Sequence, residues 1–251
     1  MNLRERLKAF RRLYEAGYVD RHRFEDASEL MQRATRELEN SGWSRQVLRV
    51  GDSIPRFTLS DPYERRLSID QHLRDGPLII NFYRGSWCPY CNIELQALQA
   101  ALPAIDCLGA QIIAISPQTR EYGRRTIREN ELTFPVLSDV YNEVATAFGL
   151  KFIVPDYLAD LYRLLGYDLP TFNGDSSWTL PMPSRFVVSQ NGAIIYAEIN
   201  PDYTKRPDPS EMFPFIRQAA ASPRARIPHD HLPQFKARQS PATSHLRRGK
   251  V

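Results

Sequence analysis

The sequence predicts an α/β fold, and three observations carry that expectation. Two runs, Pro77-Leu78-Ile79-Ile80-Asn81-Phe82-Tyr83 and Ala110-Gln111-Ile112-Ile113-Ala114-Ile115-Ser116, are almost continuously apolar, as strands covered on both faces must be. Segments with helical periodicity alternate with them. Near the end, Gln190-Asn191-Gly192 separates two β-branched runs, which signals a hairpin. At 251 residues the chain is long enough to bury a full core.

In chain order, residues 2–16 place Leu3, Leu7, Phe10 and Tyr14 at helical spacing, and residues 26–40 do the same with Ala27, Leu30, Met31, Ala34 and Leu38. Gly17 and Asn40-Ser41-Gly42 mark their ends. Two amphipathic helices are expected, packed on the domain or on a partner subunit in a homodimer. Arg56-Phe57-Thr58-Leu59 and Arg66-Leu67-Ser68-Ile69 flank a turn at Asp61-Pro62 and read as a short hairpin. The strand over 77–83 follows, then a helix over 89–106 with a kink or break expected near Pro103. The second strand leads to a helix over about 118–130, an extended Phe134-Pro135-Val136-Leu137 and a helix over 141–149 ended by Gly149. Residues 155–180 are less regular, with a helix expected from Asp156 to Leu165 and a turn at Asn173-Gly174-Asp175. The hairpin of 185–188 and 193–197 and a helix over 209–220 complete the expected fold.

The formal charge of +4 is misleading as a guide to partners. Residues 221–251 alone carry +6, which leaves −2 for residues 1–220. The basicity belongs to a tail rich in proline and charge, expected to be disordered. A nucleic-acid interface on the body is therefore not expected. Three domains of organisation are anticipated: a helical extension over 1–45, an α/β domain over 46–220 and the basic tail over 221–251. No window is apolar enough to span a bilayer, and the N-terminus lacks a signal core. A cytoplasmic protein without membrane partners is expected.

Chemistry concentrates in Trp87-Cys88-Pro89-Tyr90-Cys91, at the junction between a strand and a helix with Leu95, Leu98, Leu102 and Ile105 on one face. Thiols at a helix N-terminus meet unpaired N–H groups and the positive end of the helix dipole, which favour thiolate. Cys88 and Cys91 can close into a disulfide and reopen. A zinc site would need about four ligands, whereas Cys107 is the only other thiol and three of the five histidines lie in the tail. Redox catalysis is the reading that remains ahead of metal binding and of a structural disulfide. Trp87 either shields the thiols and offers a face to substrate or simply packs against the domain. Pro181 and Pro183 precede the hairpin, and a cis bond at either would set backbone opposite the thiol pair. Cys107 is expected to be a buried small hydrophobe.

These stretches resemble the thioredoxin-fold superfamily and its peroxiredoxin-like branch, the alkyl hydroperoxide reductase/thiol-specific antioxidant group. The likeness rests on Val50-Gly51-Asp52-Ser53-Ile54-Pro55-Arg56-Phe57-Thr58-Leu59, on 78–98, on Ile115-Ser116-Pro117-Gln118, and on Phe134-Pro135-Val136-Leu137-Ser138-Asp139 running to Phe148-Gly149-Leu150. Further similarity covers 173–183 and Pro201-Asp202-Tyr203-Thr204. The resemblance implies a thioredoxin-like fold with a central mixed sheet flanked by helices. It also implies a thiol peroxidase that needs no metal or organic cofactor, acting on a peroxide and recycled by a thioredoxin- or glutathione-type reductant.

Against the family's P-x-x-x-T-x-x-C pattern, Arg84 occupies the proline position, Cys88 the threonine position and Cys91 the peroxidatic position. The family's helper arginine falls near Pro183, with Arg185 two residues on. Arg84 and Arg185 are the candidate substitutes, and Trp87, Pro183 and Arg84 the candidate substrate-contacting residues. Thioredoxin logic makes Cys88 the nucleophile at the exposed helix end, while peroxiredoxin alignment makes it Cys91; the thiol that attacks peroxide stays open. Thiol–disulfide exchange and non-enzymatic redox sensing are the alternative functions.

Overall fold

A computed structural model of the chain describes residues 2–15, 27–221 and 234–236. Helices α1 (Leu3–Glu15) and α2 (Ala27–Asn40) precede strands β1 (Arg56–Ser60) and β2 (Arg66–Ser68), which pair antiparallel as expected. Helix α3 (Ile69–Asp75), strand β3 (Leu78–Phe82), helix α4 (Pro89–Cys107), strand β4 (Gln111–Ser116), helix α5 (Arg120–Glu129) and strand β5 (Val136–Ser138) follow. Then come α6 (Glu143–Ala147), β6 (Lys151–Ile153), α7 (Asp156–Leu164), α8 (Leu169–Asn173), β7 (Thr179–Pro181), β8 (Ser184–Val188), β9 (Ile194–Ile199), α9 (Phe213–Ala221) and β10 (Gln234–Lys236). A 3₁₀ turn, Pro209–Met212, leads into α9. Asp208 and Glu211 close a capping box on it.

The central sheet is mixed, in the order β10-β1-β5-β4-β3-β8-β9, with β2 also on β1. β3 runs parallel to β4, pairing Ile80 with Ile113, and antiparallel to β8, pairing Ile80 with Phe186. Every residue of β3 and β8 is buried. Period-2 alternation then divides the side chains between two cores. Ile79 and Tyr83 pack with Leu95, Leu98 and Ile105 of α4 and with Leu3 and Leu7 of α1. Leu78, Ile80 and Phe82 pack with Ile69 and Leu73 of α3 and with Val144 and Phe148. Each such side chain contributes about 1.5–3 kcal/mol by leaving water. The thiol pair therefore sits on a strand end that is clamped from both faces.

Gly149 closes the segment after α6 with φ +73°, and a Cβ there would lie 2.1 Å from the Gln46 carbonyl oxygen. Leu48 N–H donates to the Phe148 carbonyl at 3.1 Å, so this glycine permits the segment that precedes β1 to lie against the end of α6.

The structure corrects several expectations. Helix α4 continues through Pro103 to Cys107 without a break. The proline removes one i→i−4 bond near the helix end, and the flanking contacts of Leu98 and Ile105 hold the turn. Cys107 is exposed, not buried, because it lies about 200° around the helix from the inward-facing Ile105. No cis peptide bond occurs among the described residues, so Pro181 and Pro183 are both trans. Helices α3 and α8 and the separate β6–β7 pair were not anticipated, since their three to seven residues are too short to show a period. In the tail, Gln234–Lys236 pairs parallel with β1. An edge strand offers unpaired backbone groups to any extended segment, whatever its composition. The rest of the tail beyond Ala221, and the expected stop at Gly17, lie outside the described residues.

Candidate active site

The site is assembled where β3 ends and α4 begins. Cys88 is the N-cap of α4, in extended conformation (φ −94°, ψ 107°), and its sulfur accepts the Cys91 N–H at 3.4 Å. Pro89 occupies the first turn, where no N–H is required. The preceding loop is fixed by amide side chains. Gln118 accepts the Ser86 N–H at 3.0 Å and donates to the Ser86 hydroxyl at 3.0 Å. Asn92 donates to the Ser86 carbonyl at 2.8 Å. The Cys88 N–H donates to the Gly85 carbonyl at 3.1 Å.

Arg84 is the residue that turns this loop into a reactive site. It follows β3, is buried, and directs Nη2 to the Cys88 sulfur at 3.1 Å and Nη1 to the Tyr162 hydroxyl at 3.1 Å. Its guanidinium lies 4.1 Å from the centre of the Tyr203 ring and 5.1 Å from that of Trp87. Aromatic walls leave a cation little water, so its charge acts at nearly full strength on the adjacent sulfur. Burial pushes the Cys88 thiol up. The hydrogen bond from the Cys91 side chain, the charge and hydrogen bond of Arg84, and the Cys91 N–H outweigh it and bring Cys88 down to about 5. Cys91 goes the other way: burial, its hydrogen bond to Cys88 and the charge of that neighbour push it well above its ordinary value. One proton is thus shared unequally, with Cys88 the thiolate and Cys91 the thiol.

Both sulfurs are fully buried, which corrects the expectation that Cys88 is favoured by an exposed helix end. Its advantage is the Cys91 side-chain hydrogen bond together with the charge and hydrogen bond of Arg84. Arg185 does not serve that purpose: its guanidinium bonds Glu94 at 2.9 Å and the Pro207 carbonyl at 3.1 Å. Arg206 bonds the other Glu94 oxygen at 2.8 Å, so one buried carboxylate bridges two buried guanidinium groups. Sequence reasoning passed over Glu94 and Arg206. The available signal was a carboxylate on the apolar face of α4, one position before Leu95 and one turn after Cys91. Replacing Glu94 by glutamine is expected to cost about 3–5 kcal/mol, because two desolvated cations lose their counter-charge. The midpoint of urea unfolding measures it, and an unchanged midpoint would contradict this account.

Trp87 is 8% exposed and packs against Tyr162, Tyr167 and Phe172, with ring centres 5.3, 5.4 and 6.5 Å away. It walls the thiols in and presents no open face. Pro183 and Arg84 come together on one cavity of about 210 Å³, whose lining includes Met31, Leu38, Tyr162 and Tyr203. Tyr203 entered the sequence reading only as part of the similar segment Pro201-Asp202-Tyr203-Thr204, with no role given to it, and nothing in the sequence distinguishes Tyr162.

The chain is similar to known proteins. The profile of the AhpC/TSA family matches residues 50–197. The protein named bcp in Haemophilus influenzae, assigned by its name to the peroxiredoxins, is 32% identical over 103 residues, which are 41% of this chain and 66% of that protein. A thiol-disulfide oxidoreductase ResA of Bacillus thuringiensis is 21% identical over 161 residues, 64% of this chain and 75% of its own length. Among solved structures, the peroxidoxin BcpB of Mycobacterium tuberculosis superposes with a TM-score of 0.54 at 18% identity, over 68% of this chain and 97% of that one.

Proposed function

As a member of the AhpC/TSA family, established by the match over residues 50–197, this chain inherits the peroxiredoxin-like thioredoxin fold, and we propose that it is a thiol-dependent peroxidase. The Cys88 thiolate attacks one oxygen of a hydroperoxide. An S–O bond forms, the O–O bond breaks, and the departing alkoxide or hydroxide takes a proton from solvent to leave as alcohol or water. Cys88 becomes a sulfenic acid. The Cys91 thiol then attacks that sulfur, water leaves, and the Cys88–Cys91 disulfide forms. An external dithiol of the thioredoxin type, or glutathione, returns two electrons and two protons. The chain's own groups perform every step up to that point, without a metal or organic cofactor.

The observation that carries this reading is the 3.1 Å hydrogen bond from Arg84 to Cys88. A donor beside the thiolate both holds the reactive ionisation state and stands where negative charge develops on the leaving oxygen. Arg84 thereby takes over the work that a helper arginine does elsewhere in the family. The Cys-Pro-Tyr-Cys turn supports a second reading, thiol–disulfide exchange, since the same thiolate attacks a disulfide sulfur equally well. A dithiol cycle of this kind belongs in a reducing compartment, and we read the chain as working in the cytoplasm. No helix among the described residues is long and apolar enough to cross a membrane.

Continuous peroxide consumption with thioredoxin, its reductase and NADPH tests the proposal. Many turnovers per protein are expected. Negligible peroxide turnover beside brisk reduction of a disulfide substrate would transfer the function to the second reading. A single stoichiometric oxidation that halts with reductant present would make the chain a sensor.

A further inference from the structure

The cavity that borders Arg84 is walled on one side by α2, which lies outside the residues matched by the family profile. Met31, Ala34 and Leu38 of α2 face Phe152, Leu158 and Pro183 across it. The wall is held in place. Tyr157 donates to Glu37 at 2.6 Å, Arg33 lies 4.3 Å from the centre of the Tyr157 ring, and the Tyr203 hydroxyl reaches the Met31 sulfur at 3.0 Å. Arg84 and Tyr162, bonded to each other, belong to the lining, and Arg84 in turn bonds Cys88 behind it. The remainder of the lining is predominantly aliphatic and aromatic. A space of about 210 Å³ exceeds the roughly 150 Å³ apolar cavity that accepts benzene.

We propose that this cavity binds the apolar tail of an organic hydroperoxide, and that Met31, Ala34 and Leu38 of α2 set the size of tail accepted. The inference rests on the peroxidase reading and adds to it a specificity wall built by the N-terminal extension. The chemistry of the lining matches such a substrate. The peroxide group needs the cation and hydroxyl beside the thiolate, and the tail gains by leaving water for an aliphatic wall. Hydrogen peroxide has no tail and gains nothing from α2.

The test compares cumene hydroperoxide with hydrogen peroxide under the same recycling system. The KM for cumene hydroperoxide is expected to lie at least tenfold below that for hydrogen peroxide. Ala34→Trp fills the cavity, and the ratio of kcat/KM for cumene hydroperoxide to that for hydrogen peroxide should fall about tenfold, the scale of discrimination available to a hydrophobic pocket. Ala34→Leu, a milder filling, should lower the same ratio less and serves if the tryptophan variant fails to fold by circular dichroism. Equal KM values in the wild type, or an unchanged ratio in the variant that folds, would overturn the proposal. Calorimetric titration of the reduced protein with the product alcohol, 2-phenyl-2-propanol, separates the two ideas. Binding that is weakened in the Ala34 variant, without peroxide turnover, would keep the cavity and sink the peroxidase reading. Peroxide turnover with no alcohol binding would do the reverse.

Discussion

Cys88→Ser is expected to abolish oxidation of the protein by peroxide, whereas Cys91→Ser retains one rapid oxidation and then stops. The two thiols sit three residues apart on one helical turn, yet their environments differ in sign. Cys88 receives the Arg84 guanidinium and the Cys91 side-chain hydrogen bond, which together overcome burial and set it to about 5. At neutral pH that is about 99% thiolate, against a few per cent for a free cysteine, an advantage of roughly thirty-fold. Cys91 is held protonated by burial and by the neighbouring thiolate, which suits attack only after Cys88 has been oxidised and its charge removed. Rapid-mixing measurement of peroxide loss, with mass spectrometry of the product, checks this. The Cys91→Ser variant should accumulate a dimedone-reactive sulfenic acid on Cys88. Dimedone labelling of Cys91 in the Cys88→Ser variant would reverse the assignment, and so restore the position that family alignment alone favours.

Arg84→Met should shift the whole pH profile. In the wild type, alkylation of Cys88 by iodoacetamide should rise as pH climbs through about 5 and be flat from about 6 upward, because the thiolate is populated above its pKa and reprotonated below it. Without the guanidinium only the hydrogen bonds from Cys91 still oppose burial, and the midpoint should move up from about 5 toward the ordinary cysteine range of about 8.5. A midpoint of about 7 already means a loss of about ten-fold in alkylation rate at pH 6. Arg84→Lys keeps the charge but not the fork that reaches Cys88 and Tyr162 together, so its midpoint should fall between the two. Peroxide reduction supplies a second readout. If Arg84 also stabilises the departing oxygen, Arg84→Met should remain slow with peroxide even at pH 9, where its alkylation has recovered. Parallel recovery of both reactions would restrict Arg84 to setting the thiolate.

The sequence by itself determined the α/β class, the redox turn and the position of the two central strands. Leu78 to Phe82 and Gln111 to Ser116 could be read because burial on both sheet faces leaves a continuous apolar run, a local property of the chain. The same holds for Trp87-Cys88-Pro89-Tyr90-Cys91, whose placement at a strand-to-helix junction follows from local propensity alone. Arg84 and Pro183 were legible as candidates through the family pattern. What surrounds Arg84 was not, because Tyr162 bonds it from 78 residues away and Tyr203 bonds Met31 across 172. Tertiary structure also decided between Arg84 and Arg185. Both are arginines next to apolar strands in the sequence, and only the fold commits Arg185 to Glu94 and leaves Arg84 for the thiolate. Finally, the fold decided which cysteine ionises. Sequence proximity gives Cys88 and Cys91 nearly the same surroundings, whereas ionisation depends on charge and solvent within a few ångströms, and those are set by how distant segments close over the site.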